Sequence, residues 1–208
     1  MSAGTLLLTI AAILVYCGLL QRVLDRMYLT DRQALLVIGA MLIGTFLPDI
    51  PLGLIRINLG GAIIPLGICA YLFVRANEDK ERWRAILGSI ATVAGVYGLS
   101  VLLPAEAETL PLDPMWLYGL SGGILAWVLG RSRRNAFICG VTGVILADIA
   151  SGVIAMKQGY QVQIVLGGGG IADAAVISGV LSVLLCEVLG EAIERLVRAY
   201  TARERDVL

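Results

Sequence analysis

The chain has 208 residues, 58% hydrophobic and 15% charged, with a mean hydropathy of +0.87 and 16 basic against 16 acidic side chains. That charged fraction is well below the roughly 25% of a soluble domain, and no basic patch large enough for nucleic acid is present. Histidine is absent, which removes Ser-His and Cys-His nucleophile pairs and histidine-based metal sites; no metal and no cofactor is expected.

The charges are clustered, with apolar runs of about 16 to 26 residues between the clusters. A helix needs about 20 residues to cross roughly 30 Å of hydrocarbon. In that layer the backbone must satisfy its own polar groups, so long apolar runs read as helices. They are too long for barrel strands of about 10 residues. The expected fold is an all-α, polytopic transmembrane helix bundle of seven spans.

In chain order the spans are Gly4 to Leu20, Ala34 to Gly53, Ile57 to Val74, Trp83 to Leu103, Met115 to Gly130, Ala136 to Met156 and Ile164 to Gly190. Leu14-Val15-Tyr16-Cys17 is similar to a lipoprotein cleavage box. Tyr16 is too bulky for one, and no Lys or Arg precedes the apolar stretch. The first segment is therefore read as an uncleaved span. The third and fifth spans are short. The seventh is long, and its Gly-rich start is expected to be irregular. Residues 1–190 form the expected transmembrane domain, and 191–208 an amphipathic cytoplasmic helix or tail. Ile193, Leu196, Val197 and Tyr200 make a stripe at helical spacing there. That stripe suits a solvated helix, a helix on the inner membrane surface or a partner-binding face.

Cys17, Cys69, Cys139 and Cys186 each lie in an apolar run without CxxC spacing, and are read as small packing residues. Fourteen of the sixteen basic residues fall in the first, third and fifth loops and the tail. Only Arg56 and Lys157 fall on the other side. The loop with Glu106, Glu108 and Asp113 has no basic residue. The positive-inside rule then places the protein in the cell membrane with the N-terminus outside and the C-terminus in the cytoplasm.

The chain also resembles itself. Pro48-Asp49-Ile50-Pro51-Leu52-Gly53-Leu54-Ile55 aligns with Ala147-Asp148-Ile149-Ala150-Ser151-Gly152-Val153-Ile154. Ile57-Asn58-Leu59-Gly60-Gly61-Ala62-Ile63-Ile64 aligns with Ile164-Val165-Leu166-Gly167-Gly168-Gly169-Gly170-Ile171. The expectation is a parallel internal repeat, of the kind that places transporter sites at a repeat interface near the midplane. The repeat sets Asp173 opposite Leu66, so it does not reproduce that carboxylate.

Two carboxylates carry the candidate chemistry. A charge at a helix centre costs at least a few kcal/mol, so such residues face a polar cavity or a partner. Asp148 lies about 3 Å outward of the middle of the sixth span, and Asp173 about 6 Å outward of the middle of the seventh, at 1.5 Å per residue. The two should share one depth on consecutive helices. Ser151 follows Asp148 by about one turn. Gly168 and Gly170 belong to a stretch whose carbonyls are free to coordinate an ion if it unwinds. Asn58 and Pro65 are candidates to line the same cavity from the third span, although Pro65 also suits a simple kink. Asp49, between Pro48 and Pro51, suits either the site or an interfacial turn paired with Arg56. Asp148 and Asp173 also suit a structural pair held by backbone groups or by Lys157. Gly119-Leu120-Ser121-Gly122 matches the GxSG of rhomboid-type proteases, but without histidine it is read as a helix-packing face.

Ile57-Asn58-Leu59-Gly60-Gly61 with Pro65, Ala147-Asp148, and Gly167-Gly168-Gly169-Gly170-Ile171-Ala172-Asp173 resemble an uncharacterised family of polytopic membrane proteins in bacteria and archaea, catalogued as domain of unknown function sixteen-fourteen. The resemblance covers roughly spans two to seven. It implies a multi-span membrane fold and no established activity. A weaker likeness is to GxGD-type intramembrane aspartyl proteases, in which Asp148 and Asp173 would be the catalytic pair. Ile171 and Ala172 intervene between the glycines and Asp173, which breaks that motif, and no Pro-Ala-Leu element exists.

The leading expectation is a small transporter or ion-translocating protein in the lipid bilayer. Its paired aspartates would bind a proton, a cation or a small cationic solute. The alternatives are an aspartyl protease with the same pair and a membrane scaffold or accessory subunit.

Overall fold

The computed structural model describes residues 30–76, 78–102 and 114–205. The first expected span, with Cys17, lies outside them, as do Arg22, Arg26, Glu106, Glu108 and Asp113. Six α-helices are described: α1 Asp31–Thr45, α2 Ile64–Val74, α3 Asp79–Leu102, α4 Pro114–Gly130, α5 Arg133–Lys157 and α6 Ala174–Arg205. Helix α6 runs past Gly190 without a break.

Local chemistry sets the helix starts. Thr30 and Gln33 form a reciprocal capping box on α1. Ser132 caps α5 by accepting from the Asn135 N–H at 3.3 Å. A π-helical turn, Leu59–Ile63, leads into α2. There the Ile64 N–H reaches back to Leu59 O, and Pro65, at the first turn of α2, has no N–H to give. Pro65 is thus a buried helix-start residue rather than a mid-helix kink.

The all-α expectation is corrected by a small sheet of order β1-β2-β3, formed by Ile50–Leu52, Ile55–Ile57 and Ile164–Leu166. β1 and β2 make an antiparallel hairpin with Leu52 opposite Ile55. Gly53, at φ 66°, supplies the left-handed residue its two-residue turn needs. β3 joins β2 in parallel, with Ile57 opposite Leu166. The second expected span therefore stops at Thr45 and gives way to Pro48, Pro51 and the hairpin, because proline and the residue before it leave the helical region. The seventh expected span divides into β3, a glycine loop, a 3₁₀ turn Gly170–Ala172 and then α6. The two segments aligned as a repeat are neighbours in this sheet. Their pairing is two residues out of register with the alignment, so it is a contact and not a test of duplication.

Helices α3 to α6 pack on one another, α2 lies on α5, and α1 lies on the π-helical and 3₁₀ turns. The core holds Leu72, Val96, Cys139, Val141 and Val144. Cys69, Cys139 and Cys186 are free thiols. By length and composition α3 and α5 are able to cross a membrane, and the other apolar helical stretches described are shorter, at 10–17 residues. The count of seven spans is thus not met. One expected span falls outside the described residues, and strands and a glycine loop shorten others.

Candidate functional site

The site is built on a backbone crossing. Beyond β2 and β3 the chain passes through glycines on both sides, and the two stretches touch with nothing between them. A Cβ on Gly61 would meet Gly170 O at 2.6 Å, and one on Gly167 would meet the Ala62 nitrogen at 2.5 Å. A Cβ on Gly44 of α1 would meet the Gly60 nitrogen at 2.8 Å. Only glycine permits such approach. Asn58 is buried here with both its amide oxygen and its amide nitrogen hydrogen-bonded. Its Oδ1 accepts from the Gly60 and Gly61 N–H groups at 2.9 and 3.0 Å, and its Nδ2 donates to Asp49 Oδ1 at 2.9 Å. Asp49 therefore partners Asn58 rather than Arg56, which is exposed on β2.

Thr45, at the end of α1, ties the second glycine stretch down. Its hydroxyl donates to Met41 O at 2.8 Å and accepts from the Ile171 N–H at 3.0 Å. Gly170, at φ 58°, lies against it. The 3₁₀ turn then delivers Asp173 to the start of α6. One carboxylate oxygen accepts from the Gly169 N–H at 3.1 Å and the other from the Ala175 N–H at 3.0 Å. Asp173 is buried and acts as a helix cap. Asp173→Ala is expected to lower stability by about 1–2 kcal/mol, the usual worth of such a cap. Thermal unfolding in detergent checks this.

Asp148 differs. It lies on α5 and is half-buried. Its charge interacts with that of Asp173, and Tyr118 of α4 lies within reach of it. Met115 and Gly119 press the same stretch of α4 onto the 169–177 segment. A Cβ on Gly169 would meet Met115 Sδ at 3.1 Å, and one on Gly119 would meet Ile177 Cγ2 at 2.9 Å. Among the described residues neither Asp148 nor Tyr118 makes a side-chain hydrogen bond. Among the described residues the ion pairs Arg82–Asp79, Arg133–Glu187 and Arg134–Glu81 involve neither Asp148 nor Asp173. Lys157 is exposed at the far end of α5.

Asp148 thus lies within electrostatic range of Asp173, and Gly168 and Gly170 stand in the loop that leads to Asp173. Ser151 lies on α5 beyond Asp148 and is half-buried. Asn58 and Asp49 form a separate hydrogen-bonded pair. Gly119 and Gly122 serve helix packing, against Ile177 and against Ser178 with Val144. Tyr118 and Thr45 were not anticipated. Each sits on a helix whose neighbours in space only the fold reveals, so spacing alone gave no signal for either.

Residues 23–185 match the family described as "Protein of unknown function (DUF1614)". The chain belongs to this family. The match spans every candidate residue of the site, from Asp49 to Asp173. The family carries no assigned activity, and the likeness to aspartyl proteases finds no support in it. No curated protein matches the chain, and no solved structure does.

Proposed function

We propose that the protein is a multi-pass membrane protein that moves a proton or small cation, with Asp148 as the binding group. The observation that carries this reading is the Asp148 carboxylate, on an apolar helix, without a hydrogen bond or ion pair among the described residues and within electrostatic range of a second carboxylate. A charge in such a place is costly and rarely kept without use. Asp173 is the fixed member of the pair, holding the start of α6 and placing a second negative charge beside the first. Tyr118 is the third polar group of the site, within electrostatic range of Asp148.

The molecular surface supports embedding in a lipid bilayer. Leu36, Ile43, Val74, Ile90, Leu102, Val128, Leu146 and Val188 are all exposed, and between them they represent every described helix. A soluble monomer rarely shows apolar surface on this scale. The basic residues of the odd-numbered loops and tail then orient the chain with its C-terminus in the cytoplasm, and Asp148 and Asp173 toward the outer face. The test is ion uptake into liposomes containing the purified protein, under a proton, sodium or potassium gradient. Uptake that needs Asp148 is expected. Intact, stable protein that passes none of these ions would leave an accessory membrane subunit in its place.

A further inference from the structure

Between the aspartate pair and the α4–α5 turn, three helices meet through glycines. A Cβ on Gly122 of α4 would lie 2.8 Å from Ser178 Oγ and 2.8 Å from Val144 Cγ2. One on Gly123 would lie 2.9 Å from Leu181, and one on Gly140 of α5 would lie 2.9 Å from Ser178 Oγ. One on Gly179 of α6 would lie 3.1 Å from Phe137. The interface has no room for a methyl group. A hydrated cation or an organic solute is far larger. Water is the smallest species that could enter if the helices part slightly.

One polar atom is stranded in this contact. Ser178 is fully buried, and its Oγ has no hydrogen-bond partner among the described residues. A hydroxyl in that position costs stability, since it has lost water and gained nothing. It also faces both neighbouring helices, because Gly122 and Gly140 stand beside it. Further along α6 come Ser182, fully buried and donating to Gly179 O at 2.8 Å, and Glu187, paired with Arg133. From Asp173 to Ser178, Ser182 and Glu187 the steps along the axis are about 7.5, 6 and 7.5 Å at 1.5 Å per residue. Two or three water molecules would span each step once the helices part.

We infer that the species passed is the proton alone, and that the Ser178 hydroxyl lies on its route from the Asp148–Asp173 site to the Arg133–Glu187 pair. This rests on the translocation reading above and narrows it. In the step at Ser178, Oγ accepts a proton from a water on the Asp173 side and releases its own to a water on the Ser182 side. One O–H bond forms as one breaks, and rotation restores the hydroxyl. One proton is moved and Ser178 is unchanged.

The experiment uses the full chain in liposomes with a pH-sensitive dye inside, comparing wild type with Ser178→Ala. Wild-type flux is expected to be the same in sodium and in potassium media. Ser178→Ala should lower it by about tenfold or more, as when a positioned proton-transfer group is lost. Its melting temperature should stay the same or rise, because the stranded hydroxyl is gone. A purely structural serine would give the opposite pattern, with retained flux and lower stability. Unchanged proton flux in Ser178→Ala, or Asp148-dependent uptake of sodium, potassium or an organic cation, overturns this inference and leaves the Asp148 reading standing. No flux of any ion in the wild type overturns both.

Discussion

Asp148→Asn is expected to stop ion uptake into liposomes, by roughly 100-fold or more, the scale on which a proton-transfer group acts, while the protein stays folded. Asparagine keeps the shape of the side chain and removes the charge and the proton. Asp148 gives no hydrogen bond to any described residue, so the substitution breaks no contact. It also removes a carboxylate that is half out of water and repelled by its neighbour. Stability should therefore hold or rise as function disappears. Asp173→Asn should show a different balance. Its oxygens cap α6, and an asparagine offers a single carbonyl oxygen where the carboxylate gives two acceptors. Initial flux rates and melting temperatures on the same preparations separate the two. Normal uptake by Asp148→Asn would remove the proposed site.

The apolar runs showed where the helices lie because burial needs only composition and length. Trp83 to Leu103, as far as its last described residue Leu102, Met115 to Gly130 and Ala136 to Met156 each fall on one helix, α3, α4 and α5. The sheet was harder to see. Ile50, Leu52, Ile55 and Ile57 alternate with other residues around Gly53-Leu54, a period-2 pattern with a turn glycine. That signal sits inside a chain apolar enough to be read as a continuous span. The start of the seventh span hid β3 in the same way. Three residues of strand have no length to set against a long hydrophobic run, and what fixes them is pairing with β2, over a hundred residues away.

The same limit shaped the reading of the site. Depth along two consecutive helices is a local calculation, and it brought Asp148 and Asp173 to one level. Which of them is engaged is a matter of backbone N–H groups, and these depend on the 3₁₀ turn that precedes α6. Spacing does not reveal that turn. By depth alone the two aspartates are equals, whereas the fold makes Asp173 a cap and gives Asp148 no hydrogen bond among the described residues. Tyr118 enters only because Met115 and Gly119 press α4 onto the glycine loop.

Gly61→Ala is expected to be among the more damaging single-methyl changes at the described glycines, lowering stability by about 3 kcal/mol, the upper part of the range for overpacking. The added carbon would stand 2.6 Å from Gly170 O and 2.9 Å from the Gly167 carbonyl carbon. Those are backbone atoms, so no rotamer change makes room. Relief requires the two glycine stretches to move apart, which strains the Asn58 bonds to Gly60 and Gly61 and the parallel pairing of β2 with β3. Gly67→Ala is the control. It lies in α2, a few residues on, and a Cβ there meets nothing within 4 Å. That change should be neutral or stabilising by up to about 1 kcal/mol, since alanine is the better helix former. Thermal unfolding of both variants in the same detergent reads the difference. Equal melting temperatures would mean that the crossing yields easily. The position of Asp173 beside Asp148 would then owe little to it, and the site would have to be held by the packing of α4, α5 and α6 alone.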